Sequence, residues 1–330
     1  MKKAIPVIII LLFSFNLIFG QGVKVLDGFI DKYPIQMFLN CDSSEVVGYY
    51  FYKKYGKPIY ISGEFVGKQL KLKELYDIKG TWESEPGGVF VLNEYYSGNW
   101  ESNNKVFNVN LKETNSDIKW EIFNQKVELA HTFNNGKKHK YPIQISIKVP
   151  YYKENKELVN LIIPEILGVK KESYSSIWNY FNKYTVNKYT EYLNGDFSDK
   201  YPQYFEVDIS GIVVSISDSI LNYKTSGYIY QGGAHGYGFE NYFIFDLTNM
   251  TRLKFNDIFK SDAKPGIAKL LFKKDNQEHK LKDFERSLGN IYLTSKGVGF
   301  FFNPYQIDCY ACGTFNYFLD FSELQEFLKE

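Results

Sequence analysis

The alternation of apolar and polar positions divides the chain into three unequal stretches. From about residue 23 to 115 the period is two. "VVGYYFYKKYGKPIYISGEF" alternates on either side of Tyr55-Gly56-Lys57-Pro58, as a hairpin does. "GTWES" at Gly80 to Ser84 recurs as "GNWES" at Gly98 to Ser102, and a weaker copy begins at Gly63. Glycine-then-aromatic units at strand-plus-turn spacing predict an antiparallel β meander. Glu85-Pro86-Gly87-Gly88 reads as a turn ahead of the strand "VFVLNEYY". Trp82 and Trp100 are expected on one side of successive strands, as stacked core residues or as a ligand platform.

From about Asp117 the pattern mixes. "WEIFNQKVELAHTFNNGKKHKYPIQISIKVPYY" gives two or three strands, with Asn134-Asn135-Gly136 as a hairpin turn. In "SYSSIWNYFNKYTVNKYTEYLN" the residues Ile177, Phe181, Tyr184 and the pair Tyr189/Leu193 fall on one helical stripe, capped by Ser173 or Ser175. This is the one long helix expected. Strands resume at "YFEVDISG", "IVVSISDSILNYK", "SGYIYQ" and "ENYFIFDL". Lys264 to Lys274 reads as helix, and Lys280 to Leu288 fits helix or strand. Three strand-like runs close the chain, "NIYLTS", "VGFFFNPYQI" and "TFNYFLDF", before a short helix with a capping box from Ser322 to Gln325. Strands and helices mix without βαβ alternation, so the class is α+β: a β meander, then a domain with an antiparallel sheet.

The first twenty residues read as a cleaved leader. Lys2 and Lys3 precede the apolar run Ala4 to Phe13, with small residues near Gly20. Pro6, Ser14 and Asn16 interrupt a run too short to span a bilayer. Export to the periplasm or the cell exterior follows, with residues 23–115 and 117–330 as the two domains and no membrane span in the mature chain. The chain carries 39 basic and 38 acidic residues, and its only arginines are Arg252 and Arg286. Bidentate reading of phosphate or guanine favours arginine, so nucleic acid is not an expected partner.

Candidate chemistry centres on "YIYQGGAHGYG", Tyr228 to Gly238. No Gly-Lys-Ser/Thr ending or following helix is present, which excludes a phosphate loop or dinucleotide fingerprint. His235 can turn its ring to local backbone, contact a ligand, or serve a hydrolase with a neighbour among Ser226, Glu240, Asp246 and Asp257. No Gly-x-Ser-x-Gly elbow supports the last. With four histidines, and none of His131, His139 and His279 at ligand spacing from His235, no metal site is expected. Lys137-Lys138-His139-Lys140 reads as a solvated loop. Cys309 and Cys312 form a C-x-x-C that export favours as a disulfide. Bridging positions i and i+3 needs a local turn, for which Gly313 is placed; a bond from Cys41 to either is the rival.

The later motifs resemble a family. Gly232 to Gly236, a strand ending at Asp246, the Leu-x-x-x-Asp-x-Phe element Leu253 to Phe259, Asn303 to Tyr305, Tyr310 to Gly313 and Ser322 to Leu324 occur in order. Together they look like the extracytoplasmic domain of RsiV-type, lysozyme-sensing anti-sigma factors, which also accompanies peptidoglycan deacetylases. The resemblance covers about residues 117–330. Gln306 stands where that family usually has Glu, and the paired cysteines are additional. The anti-sigma segment and the deacetylase catalytic domain are absent, so neither activity transfers. What the resemblance implies is a non-catalytic module without cofactor that binds a lysozyme-like hydrolase or peptidoglycan. Ligand contacts are expected from Gln231, Gly232, Gly233, His235, Tyr237, Tyr305 and Tyr310. The competing classes are a hydrolase built on His235 and a structural envelope protein.

Overall fold

The computed structural model describes residues 21–329 except 44, 78–83, 115–119, 130–142, 175 and 195–204. The leader, Trp82, the Asn134-Asn135-Gly136 turn, the Lys137–Lys140 cluster, His131, His139 and Ser175 therefore lie outside the described residues.

Residues 22–113 form the expected meander, and it closes. Eight antiparallel strands follow in sequence order: β1 (Gly22–Ile30), β2 (Tyr33–Asp42), β3 (Glu45–Tyr52), β4 (Pro58–Val66), β5 (Gln69–Asp77), β6 (Ser84–Leu92), β7 (Ser97–Ser102) and β8 (Lys105–Glu113). Pairing of Leu26 with Glu113 through Ile30 with Val109 joins β1 to β8. Closure satisfies every strand edge within the unit. Asn103 and Asn104, both at positive φ, make the two-residue turn between β7 and β8. Period two does the sorting: Ile35, Met37, Leu39 and Cys41 of β2 point into the barrel core with Val46 and Tyr50 of β3.

Glu85-Pro86-Gly87-Gly88 is not a turn but part of β6, where Pro86 pairs with Leu75 and Glu85 with Tyr76. The glycines serve close approach. A Cβ on Gly88 would lie 2.3 Å from the Trp100 ring, and one on Gly87 2.3 Å from the Tyr76 ring. They make room for Glu74, which is 1% exposed. Its carboxylate accepts from Tyr50 Oη (2.5 Å), Tyr76 Oη (2.9 Å), Gly88 N (2.7 Å) and Trp100 Nε1 (2.7 Å). Trp100 is thus tied to an internal acid. β6 also ends sooner than "VFVLNEYY" suggests, because the Asn93 side chain accepts from Tyr95 N and Ser97 N and turns the chain.

The second sheet has the order β14-β13-β12-β11-β10-β9. Its strands are β9 (Glu121–Leu129), β10 (Ile143–Tyr151), β11 (Phe205–Ile216), β12 (Ile220–Tyr230), β13 (Tyr237–Asp246) and β14 (Thr251–Leu253). It is mixed rather than wholly antiparallel, because β10 and β11 run parallel from Ile143/Phe205 onward. A parallel pair needs a crossover, and two helices supply it. One is the expected helix, α2 (Ile177–Asn194), burying Ile177, Tyr180, Phe181, Tyr184 and Tyr192. It starts four residues past Ser173, and Tyr189 only edges the core. The other, α1 (Lys156–Leu167), has no place in the pattern-based assignment. Its run "LVNLIIPEIL" is too apolar to show a stripe, and Pro164 reads as a breaker. Asn155 caps its start, accepting from Glu157 N and Leu158 N, and Gly168 ends it at φ 62°.

The three strand-like runs before the glycine loop become two strands. Gly211 lies inside β11, where a Cβ would meet Tyr223 Oη at 2.3 Å. Past β14 come α3 (Phe255–Ile258), α4 (Ala263–Lys274), α5 (Leu281–Arg286) and an antiparallel sheet of β15 (Ile291–Leu293), β16 (Gly297–Phe302) and β17 (Phe315–Asp320). A last helical turn, α6 (Phe321–Leu324), takes its cap two residues earlier than expected: Asp320 N donates to Glu323 Oε2 (2.8 Å). The class is α+β with strand predominating. Among the described residues no helix is long and apolar enough to cross a membrane.

Each face of the six-stranded sheet is covered. Leu221, Tyr223, Phe243 and Phe245 pack with the helices of the crossover. On the other face Ile212, Val214 and Tyr242 meet Val25, Phe38, Tyr49 and Phe51 from the outside of the barrel. Asn40 stitches this seam: its amide accepts from Val213 N (2.9 Å) and donates to Val213 O (3.1 Å).

Candidate recognition site

The β12–β13 hairpin brings the glycine loop to one end of the sheet. Ile229 pairs with Tyr237, leaving Tyr230 to Gly236 as the connection. Gly232 and Gly233 have φ of 90° and 96°, a region favouring glycine. Tyr230 Oη donates to Gly233 O (2.9 Å), and Gly236 lies under the Tyr228 ring.

The β16–β17 connection arrives from the second motif. Asn303, 6% exposed, accepts from Glu240 N (2.7 Å) and donates to Glu240 O (2.9 Å), pinning the loop to the free edge of β13. Tyr305 follows at φ 67° and is 57% exposed. Cys309 and Cys312 are joined by a disulfide across a 3-10 turn, Tyr310–Cys312, with Gly313 at φ 69°. This is the local turn that an i, i+3 bridge requires. Cys41 is no rival: it lies free in the barrel core, where burial pushes its thiol up to about 12.

The two motifs, about seventy residues apart, meet ring to ring. His235 stacks on Tyr310 with centroids 4.4 Å apart at 24°, and Tyr310 continues to Tyr305 at 5.5 Å. Tyr237 stands close by, its hydroxyl pushed above the usual phenol range by burial and then by Tyr310. Gln231 and Gly233 are exposed and Gly232 half-buried in the same loop, and none of the three is part of the stack. Of the expected contacts, then, His235, Tyr237, Tyr305 and Tyr310 form one aromatic patch.

The base of the patch is anchored inward. Asp308 accepts from Cys309 N (2.7 Å) and faces His279 Nε2 (3.1 Å). His279 Nδ1 reaches the buried Asp275 (3.0 Å), which also accepts from Tyr317 Oη (2.5 Å). The Cys309 amide, and after it His279, hold the Asp308 carboxyl below the ordinary aspartate range against some desolvation.

None of the four side chains considered as a catalytic partner pairs with His235. Its Nδ1 lies 2.8 Å from Gly236 O, which can only accept, so Nδ1 carries the proton. Glu240 binds Lys224 and Ser226, Asp246 accepts from Thr248 N and Asn249 N, and Asp257 accepts from Lys254 N.

A second concave site lies in the seam, a cleft of about 590 Å³. Lys224 is its centre, with a side chain only 7% exposed. Its Nζ meets Glu240 Oε1 at 2.8 Å and sits 5.6 and 5.4 Å from the Tyr49 and Tyr60 ring centroids. Burial alone lowers a lysine; here Glu240 and then Tyr49 outweigh it and raise Lys224 above its ordinary range. The ammonium is held charged and serves as a rivet. Sequence reading missed it because "LNYKTS" places Lys224 with Asn222 and Ser226 on what alternation marks as a solvent face.

Comparison with known proteins gives the fold a place. No curated protein matches the chain. A crystal structure of a DUF3298 family member from Bacteroides fragilis superposes with TM-score 0.50 at 22% identity, covering 66% of this chain and 96% of that one. A DUF3298 family protein from Pseudomonas aeruginosa PAO1 gives TM-score 0.45 at 14% identity, covering 65% and 95%. The first likeness concerns fold alone. Residues 256–322, a narrower span than the resemblance over 117–330, match the family described as protein of unknown function (DUF3298).

Proposed function

We propose that the chain is an exported recognition module, without catalytic activity, whose aromatic patch binds a lysozyme-like wall hydrolase or peptidoglycan. The observation that carries this reading is the His235–Tyr310–Tyr305 stack. Two distant motifs converge to build it, and a disulfide and Asn303 hold it in place. Fixed aromatic rings at a surface offer large contact area with little ordering entropy lost on binding, to a protein or to the apolar face of a sugar. The ordered motifs from Gly232 to Leu324 add the resemblance to lysozyme-sensing domains.

The test is titration of the purified chain with lysozyme, alongside sedimentation with insoluble peptidoglycan. Tyr305→Ala is expected to weaken whichever interaction occurs roughly tenfold or more. Tyr95→Ala, removing a 74% exposed ring on the barrel, should leave it unchanged. Binding of neither partner, or equal losses from both variants, sinks the proposal.

A further inference from the structure

Thirty-seven of the chain's basic residues are lysines, yet its only two arginines line the same pocket. This pocket of about 430 Å³ lies along β13 beyond the end of its pairing with β14. Arg252 enters from β14 and Arg286 from the end of α5, with Asn241 and Gln306 on the walls.

The two guanidinium groups are only partly engaged. Arg252 stacks on the Phe243 ring, with Cζ 4.6 Å from the centroid, and gives Nη1 to Glu165 Oε2 at 2.7 Å. Its Nε is buried without a hydrogen-bond partner among the described residues. A buried N–H left in this way calls for a partner. Among the described residues Arg286 makes long contacts through Nη2, 3.4 Å to Gln306 O and 3.4 Å to Asp283 Oδ1, and its side chain is 66% exposed. The seam cleft is different: Lys224 is matched by Glu240, and Lys148 by Asp42 and Glu45. The arginine-lined pocket thus pairs one guanidinium fixed by Glu165 and Phe243 with a second that is largely exposed and weakly engaged.

We infer that this pocket is a binding site for an organic anion, its carboxylate or phosphate group held between Arg252 and Arg286. Both oxyanions match the guanidinium fork, and lysine does not reproduce that geometry. Glu165 and Phe243 fix the plane of Arg252, while the exposed, weakly engaged Arg286 supplies the second charge. The volume leaves space for a body beyond the charged group, and Asn241 and Gln306 offer polar contacts to it. The site shares the β16–β17 connection with the aromatic patch, through Gln306 beside Tyr305, but draws its charged donors from β14 and α5.

The experiment titrates the full chain with sodium phosphate and, separately, sodium succinate, following heat of binding and melting temperature, with sodium chloride at equal ionic strength as reference. Saturable binding of at least one oxyanion is expected. Arg286→Gln and Arg252→Lys should each weaken it roughly tenfold or more, while Lys282→Gln, on α5 but outside the pocket lining, leaves it unchanged. Arg252→Lys keeps a cation for Glu165, so loss of binding at an unchanged melting temperature is not a folding defect. Preference for phosphate or for succinate names the ligand's headgroup. Stabilisation matched by chloride, or undiminished binding in both arginine variants, overturns the inference.

Discussion

The barrel and the six-stranded sheet each bury a charge, and they stabilise it in opposite ways. Glu74 lies inside the barrel, and among the described residues four neutral donors from β3, β5, β6 and β7 bind its carboxylate. Lys224 lies outside its own sheet and becomes buried only because the barrel docks there. It is held by one carboxylate and two rings, and those rings belong to the barrel. A closed barrel can satisfy a buried acid from its own strands. An open sheet leaves a face that another unit must complete, so its buried charge reports on docking.

The comparison is broken most strongly at Glu74. Glu74→Ala strands the Tyr50 phenol, the Trp100 indole and the Gly88 amide, while the half-exposed Tyr76 phenol can turn to water, and urea unfolding should show a loss of roughly 4 kcal/mol. Glu74→Gln should fall between the two proteins, since its NH2 group faces donors. An unchanged midpoint would mean that water takes the carboxylate's place. Next comes the seam. Lys224→Ala is expected to destabilise by about 3 kcal/mol through the unpaired Glu240, and Lys224→Met with Glu240→Gln should recover most of it. A double variant no better than the single one would show that packing, not charge, governs docking.

Smaller effects belong to the aromatic patch, which is held by a short disulfide loop and side-chain hydrogen bonds and not by barrel closure. Its disulfide closes only a few residues, so Cys309→Ser with Cys312→Ser should lower stability by about 2 kcal/mol at most. The change should be confined to hydrogen exchange around 303–313. Spread of that change into the barrel would show that the patch and the barrel are coupled.

The smallest effect is acid sensitivity at Asp308. Its folded pKa lies below the unfolded value, so its contribution is full above the unfolded pKa and is lost as pH falls through the folded one. Its side chain is 40% exposed, which keeps that contribution small through solvent screening. Asp308→Asn should flatten the acid limb of a stability–pH curve slightly and leave neutral pH nearly untouched.

How far the sequence can be read varies with the locality of the interactions. The hairpins of the barrel, the α2 stripe and the three final strands were legible, because period and turn chemistry reside in neighbouring residues. Helix α1 was not, since "LVNLIIPEIL" is buried on nearly every side and shows no polar face. Gly87 and Gly88 misled for a similar reason: glycine is also used where a distant ring, here Tyr76 or Trp100, must come close. At the patch, the sequence named His235, Tyr237, Tyr305 and Tyr310 separately, and only folding set their rings against one another. Lys224 was out of reach altogether, its alternation marking it for solvent.

By itself, then, the sequence determined strand and helix tendency, the class, and the two motifs from which the patch is made, all carried by local period and residue type. The tertiary structure alone decided that the meander closes, that β10 and β11 run parallel, that a lysine lies buried in a seam, and that the chain's two arginines share a pocket. Those outcomes depend on which surfaces cover one another, and no residue carries that information in its neighbours.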